Sequence, residues 1–229
     1  MILPSGISVL DRIMNGGLNT GIFTHVYGEA ASGKTTFGLQ FVKAMCRQGI
    51  GTIYINSETT SPVERLEQMI GKGFDEIEDL VKIFLPKGFS EQGALIDELE
   101  LYMRGDMRLV VIDTLTKQYR LALEDKKTNY ANHRELNRQA GILKGLAVQH
   151  DVAVLVLNQV TARLNGLEDF EPVARNILDY WSNYVIKMKI GRSSGERVLR
   201  RIIPKGERAE GRLYLTESGF AIERPIEKE

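Results

Sequence analysis

The eight residues Gly28-Glu29-Ala30-Ala31-Ser32-Gly33-Lys34-Thr35 constrain this chain more than any other stretch. They satisfy every fixed position of the pattern G-x-x-x-x-G-K-[ST]. The run Ile22 to Tyr27 before them is apolar, β-branched and aromatic, and reads as a buried strand. Behind them, Thr35 to Gln48 carries Phe37, Phe41, Ala44 and Met45 at helical spacing. A strand, a glycine loop and a helix in that order gather backbone N–H groups and a helix N-terminus around one point, and such a point attracts phosphate. Residues Gly28, Glu29, Ala30, Ala31, Ser32, Gly33, Lys34, Thr35 and Thr36 are therefore the expected nucleotide-binding set. Lys34 is expected to reach the β- and γ-phosphates of a nucleoside triphosphate, and Thr35 to hold Mg2+ through its hydroxyl.

The flanking sequence alternates strands with helices. A short helix over Ser5 to Met14, capped by Ser5, is expected to end at Gly16-Gly17. Further strands are expected at Gly51 to Ile55, Val81 to Leu85, Leu109 to Ile112 and Val152 to Leu157. Helices are expected from Pro62 to near Gly71, from Glu91 to Arg104 and from Asn132 to His150. Strands that are apolar on both faces argue for a mostly parallel sheet with helices on both faces. Beyond residue 180 the pattern changes to strands at Trp181 to Ile190, Arg197 to Ile203, Arg212 to Leu215 and Phe220 to Ile222, joined by glycine turns. The expectation is an α/β fold with an antiparallel C-terminal extension of the same sheet. Residues 1–229 would form one unit, with 1–20 as a lead-in and 181–229 as the extension.

Composition fits a soluble protein with a full core: 43% hydrophobic and 26% charged residues. There is no apolar run of membrane-spanning length and no basic, apolar leader. The lone Cys46 reads as a small buried hydrophobe. These features together predict a cytoplasmic protein. Net charge is zero, yet Glu58 to Glu100 holds eleven acidic residues against four basic, and Lys187 to Arg212 nine basic against three acidic. The basic stretch fits either a solvated hairpin or a polyanion site.

Three further residues sit where chemistry is done in such a fold. Asp113 follows four apolar residues at a strand end, where a carboxylate can hold Mg2+, although the same pattern also makes a turn or a cap. Glu58 ends the region Tyr54-Ile55-Asn56-Ser57-Glu58, at the sheet edge that faces the ligand crevice. It can polarise an attacking water, or it can be a surface glutamate ahead of Pro62. Gln159 closes the strand Val152 to Leu157, where an amide can sense a γ-phosphate or merely bond to backbone.

Taken together, these residues resemble the ATPase core of the RecA-type recombinases, in the archaeal and eukaryotic branch. Ser5-Gly6, Leu10-Asp11 and Gly16-Gly17-Leu18 are similar to the family's lead-in, Gly28 to Thr35 to its Walker A, and Leu109 to Asp113 to its Walker B. Tyr54 to Glu58 resembles the segment of the catalytic glutamate. Leu157-Asn158-Gln159-Val160 resembles the segment linking γ-phosphate to a DNA-binding loop. The resemblance implies a P-loop NTPase with a RecA-like core, catalytic Glu58, Lys34 and Gln159, and Mg2+ on Thr35 and Asp113. It also implies that the strand before Gln159 lies between the phosphate-loop and Walker B strands.

The family's two DNA-binding loops would fall at about Thr116 to His133 and Val160 to Asn176. Lys117, Arg120, Lys126 and Lys127 would serve the first, and Arg163 and Arg175 the second. Asn56 stands where the family usually has aspartate and Thr59 where it has glycine, which implies slow hydrolysis. The family's N-terminal helical domain and polymerisation segment are not matched, which argues against conventional filament assembly and leaves the oligomeric state, a homo-oligomer included, open. The resulting expectation is an ATP-dependent DNA-binding protein, an accessory to homologous recombination and repair. Its partners would be single-stranded or branched DNA and a full-length recombinase or another repair protein. A RecA-fold signalling ATPase without DNA is the main alternative, and a small-molecule phosphotransferase is the other.

Overall fold

The computed structural model describes residues 1–162, 170–207 and 209–224. Its centre is a nine-stranded sheet in the order β13-β12-β11-β10-β3-β7-β6-β4-β5. The strands are β3 (Phe23–Gly28), β4 (Gly51–Asn56), β5 (Val81–Phe84), β6 (Met107–Asp113), β7 (Ala153–Asn158), β10 (Tyr184–Ile190), β11 (Glu196–Ile203), β12 (Glu210–Thr216) and β13 (Gly219–Ala221). Strands β10, β3, β7, β6, β4 and β5 pair in parallel. From β10 onward, β11, β12 and β13 pair antiparallel, as expected for the C-terminal extension.

The parallel strands are apolar throughout because alternate side chains enter opposite cores. Leu109, Val111, Leu155 and Leu157 pack with α1 (Ser8–Ile13), α2 (Lys34–Arg47) and α3 (Val63–Ile70). Val110, Ile112, Val154 and Val156 pack with α4 (Phe89–Tyr102), α5 (Leu115–Leu121), α6 (Lys126–Gln149) and α7 (Arg175–Trp181). Two small antiparallel pairs complete the chain: β1 (Ile2–Leu3) with β2 (Leu18–Asn19), and β8 (Val160–Ala162) with β9 (Phe170–Pro172). Among the described residues, no helix is long and apolar enough to cross a membrane.

Several local expectations need correction. Helix α1 starts at Ser8, with Ile7 and not Ser5 at its N-cap. The Ser5 hydroxyl instead accepts from the Ile7 N–H (3.0 Å) and donates to the Asp11 carboxylate (2.8 Å). The region expected as a first DNA-binding loop is largely helical, comprising α5 and the start of α6. Helix α6 begins six residues earlier than the apolar stripe suggested. Asp125 caps it there, accepting from the N–H groups of Lys127 (2.8 Å) and Thr128 (3.1 Å). The second loop region contains the β8–β9 hairpin, and Arg175 is the first residue of α7. Trp181 ends that helix, and the strand it was expected to begin starts at Tyr184.

Candidate nucleotide-binding site

The carboxyl ends of the central strands lie side by side. Tyr27 is in register with Asn158, Asn56 with Asp113, and Asp113 with Leu157. The segments leaving these strand ends therefore meet at one edge of the sheet, the place where parallel α/β sheets bind ligands. A cavity of about 760 Å³ opens there, lined by the phosphate loop, Glu58, Asp113, Gln159, Arg65 and Arg197 among others.

After Gly28 the chain turns sharply into α2. Gly33 adopts φ 92° at the helix N-cap, a conformation that costs glycine little, and Ala31 is also left-handed at φ 59°. No side chain caps α2. The first N–H groups of an α-helix lack an intrahelical acceptor, and Lys34, Thr35 and Thr36, which open α2, line the cavity. A Cβ on Gly28 would stand 2.6 Å from both the Met188 carbonyl and the Ser32 hydroxyl, so the loop has no room for a side chain there. The Glu29 carboxylate accepts from the Ile190 N–H (3.1 Å), tying the loop to β10.

Lys34 donates to the carbonyls of Gly28 and Glu29, both at 2.8 Å. Burial pushes its pKa down, against the pull of Asp113, Glu58 and Glu29. Next to it, the Thr35 hydroxyl donates to Asp113 (2.7 Å), and the buried Tyr54 hydroxyl donates to the same carboxylate oxygen (2.8 Å). Asp113 is 1% exposed. Burial raises its pKa, with the Thr35 and Tyr54 hydrogen bonds opposing.

Glu58 stands across the cavity on a turn that Asn56 builds. The Asn56 amide donates to the carbonyls of Glu58 (3.3 Å) and Thr60 (2.9 Å), while its oxygen accepts from the Glu58 N–H (3.2 Å). An ionised aspartate has no donor, so it could not make the first two contacts. The Glu58 carboxylate accepts from Gln159 (2.9 Å) and Thr114 (3.3 Å) on one oxygen and pairs with Lys117 (3.2 Å) on the other. Arg120 donates to the Gln159 oxygen (2.9 Å). One residue back, buried Asn158 donates to the Val173 carbonyl (2.9 Å), accepts from Thr116 and lies 3.2 Å from the His25 ring.

Lys34, Thr35, Glu58, Asp113 and Gln159 thus all line one cavity. The six basic residues expected to meet DNA divide differently. Lys117 and Arg120 are bonded inward to Glu58 and Gln159. Lys126 and Lys127 are exposed at the start of α6. Arg175 pairs with Asp179 (3.2 Å), and Arg163 lies outside the described residues. Sequence reasoning missed Arg65 and Arg197. The Arg197 guanidinium donates to the Ala31 carbonyl of the phosphate loop (3.0 Å). Arg65 crosses from α3 to the carbonyls of Thr216 (2.6 Å) and Glu217 (2.7 Å). The only signal for Arg197 was the basic stretch from Lys187 to Arg212.

The residues present fit a triphosphate and a hard divalent cation. The buried Ser32 hydroxyl has no partner among the described residues, and the Lys34 ammonium donates to two carbonyls of the loop itself. Thr35 and Asp113 supply oxygen donors, the kind Mg2+ takes.

A strand–glycine loop–helix unit beside this strand order defines a RecA-like nucleotide-binding core. The chain belongs to the Rad51 family, whose profile matches residues 1–221. It is 34% identical over 202 residues to the DNA repair and recombination protein RadB of Methanothermobacter thermautotrophicus, covering 85% of each chain. It is 30% identical to the protein of that name from Methanococcoides burtonii, covering 82% of each. Among solved structures, a crystal structure of the RadB recombinase matches with TM-score 0.79 and 29% identity, over 96% of this chain and 98% of that one. Proteins of the Rad51 and RecA type are typically ATPases that use ATP and Mg2+.

Proposed function

We propose that residues 1–229 act as one unit, an ATP-dependent DNA-binding protein that assists homologous recombination and DNA repair and hydrolyses ATP slowly. One observation carries this reading: the phosphate loop, the Thr35–Asp113 pair and the Glu58–Gln159 pair all line a single cavity. The chain is also similar, over most of its length, to proteins named for DNA repair and recombination.

In this reading Lys34 exchanges the carbonyls of Gly28 and Glu29 for the β- and γ-phosphates, and the loop's N–H groups cradle the rest of the triphosphate. Mg2+ on Thr35 and Asp113 would neutralise charge on the phosphate oxygens. Glu58 orients a water and takes its proton as the water oxygen bonds to the γ-phosphorus, while the bond to the β–γ bridging oxygen breaks and ADP leaves. A response of Gln159 to the γ-phosphate is supported by its position directly after β7 and its hydrogen bond to Glu58. Neighbouring Asn158 holds Val173, beyond the β8–β9 hairpin, which gives that response a short route to the hairpin.

Lys126 and Lys127 supply exposed charge for a phosphate backbone. A full-length recombinase or another repair protein is the proposed protein partner. Phosphate release and single-stranded DNA retention, each measured with and without the other ligand, test the reading. DNA retention that needs ATP is the expected result. A chain that hydrolyses ATP but ignores DNA at every salt concentration would contradict it.

A further inference from the structure

Lys117 and Arg120 lie three residues apart on α5 and so on one face of it. Both would serve a DNA backbone well, yet both are bonded into the cavity. Lys117 Nζ is 3.2 Å from Glu58 Oε2, Gln159 Nε2 is 2.9 Å from Glu58 Oε1, and Arg120 Nη1 is 2.9 Å from Gln159 Oε1. Thr114 donates to Glu58 as well (3.3 Å). A continuous chain, Lys117–Glu58–Gln159–Arg120, therefore leaves α5, crosses two residues of the cavity wall and returns to α5.

This arrangement has a chemical consequence. A carboxylate takes a proton from water through a free lone pair, with its negative charge undiminished. Here three of the carboxylate's roughly four acceptor positions are engaged, and an ammonium group sits against Oε2 and offsets the charge. The pair is not sealed: the Lys117 side chain is 18% exposed and that of Glu58 30%. Arg120, Lys126 and Lys127, all exposed, follow Lys117 in the chain within ten residues. A strand of nucleic acid phosphates lying along α5 offers Lys117 an anion in exchange for the one it gives up.

We propose that Lys117 is a positioning residue that restrains Glu58 until single-stranded DNA draws the ammonium away. This inference rests on the ATPase reading above. It supplies that reading with a physical link between the strand and hydrolysis. Restraint sits on Glu58 and not on the phosphate loop, so it acts on turnover and leaves ATP affinity alone.

The test compares the wild-type chain, Lys117→Met and Lys117→Arg for phosphate release, with and without a saturating single-stranded oligonucleotide, alongside ATP affinity and melting temperature. Lys117→Met should raise DNA-free kcat about two- to fivefold, the worth of a partly exposed ion pair. KM for ATP should stay unchanged, and DNA should add little further stimulation. Lys117→Arg should behave as the wild type. A merely structural role would lower kcat and melting temperature together. DNA-free kcat that is unchanged or lower in a folded, ATP-binding Lys117→Met overturns the latch, as does silence of both forms when both bind ATP. A wild-type chain that binds no ATP overturns the ATPase reading itself, and the latch with it.

Discussion

Replacing Glu58 by glutamine exchanges one carboxylate oxygen for an NH2 group and keeps the shape. The retained oxygen can still accept from Gln159 and Thr114, now at 2.9 and 3.3 Å. The new NH2 group meets the Lys117 ammonium, which stands 3.2 Å from the oxygen it replaces. That ion pair is partly exposed, so its loss costs about 0.5–1 kcal/mol of stability. For a chain of this size the cost corresponds to a melting-temperature drop of about 1–4 °C. Loss of a general base is far larger, about 10²- to 10⁴-fold in turnover, or ~3–5 kcal/mol of activation free energy. Glu58 is proposed to act on the attacking water and not to hold the nucleotide, so ATP affinity should stay within about a factor of three. Phosphate release at saturating ATP and Mg2+, with single-stranded DNA present, measures the first effect, and calorimetric titration measures the second. Turnover within about threefold of wild type would remove the base role from Glu58. Turnover and affinity falling by the same factor would assign it to binding.

Gly17 adopts φ 137°, and a Cβ there would stand 2.2 Å from the Leu3 carbonyl oxygen, against the β1–β2 pair. Gly17→Ala should destabilise the chain by about 3 kcal/mol or more, read as a lower urea midpoint; an unchanged midpoint would contradict that packing. His25 is fully buried, which pushes its pKa below the ordinary 6.5, against the pull of Asp179. The unfolded chain then binds a proton that the folded chain resists, so stability should fall as pH drops below 6.5 toward the lowered folded value. His25→Gln should flatten that fall in urea midpoints, and an identical slope in the variant would refute the assignment. DNA affinity should drop steeply with salt, and replacing both Lys126 and Lys127 by alanine should reduce the log–log slope by about 1.4, at about 0.7 for each lost contact to a single strand. An unaltered slope would move the contact elsewhere.

The legible part of this fold is the part in which single residues dictate backbone. The phosphate-loop glycines, the double-faced apolar strands and the carboxylate after Leu109 to Ile112 led to β3, α2, β6 and β7 within a residue or two. The α5–α6 region reads as a loop only through the family resemblance, although Leu115, Tyr119 and Ala122 stand at helical spacing. Burial of those residues against the sheet and the Asp125 cap on α6 make it helical. Trp181 read as the start of a strand because aromatic residues favour strands, but packing on the core beside Ile177 and Leu178 keeps it in α7. Arg65 and Arg197 reach the cavity only through tertiary contacts with residues more than 150 positions away, which no local pattern encodes. The meaning of Asn56 was also hidden. The sequence exposed a departure from the family's aspartate, while the structure gives the amide a task in building the Glu58 turn.

Calorimetric titration of the folded chain with ATP and Mg2+, run beside Lys34→Ala, addresses the nucleotide site most directly. The account predicts a saturable, one-to-one heat of binding for the wild type and its near-complete loss in Lys34→Ala, with both proteins folded by circular dichroism. A folded wild-type chain that gives no heat with ATP, or a Lys34→Ala variant that binds as tightly as the wild type, would contradict it.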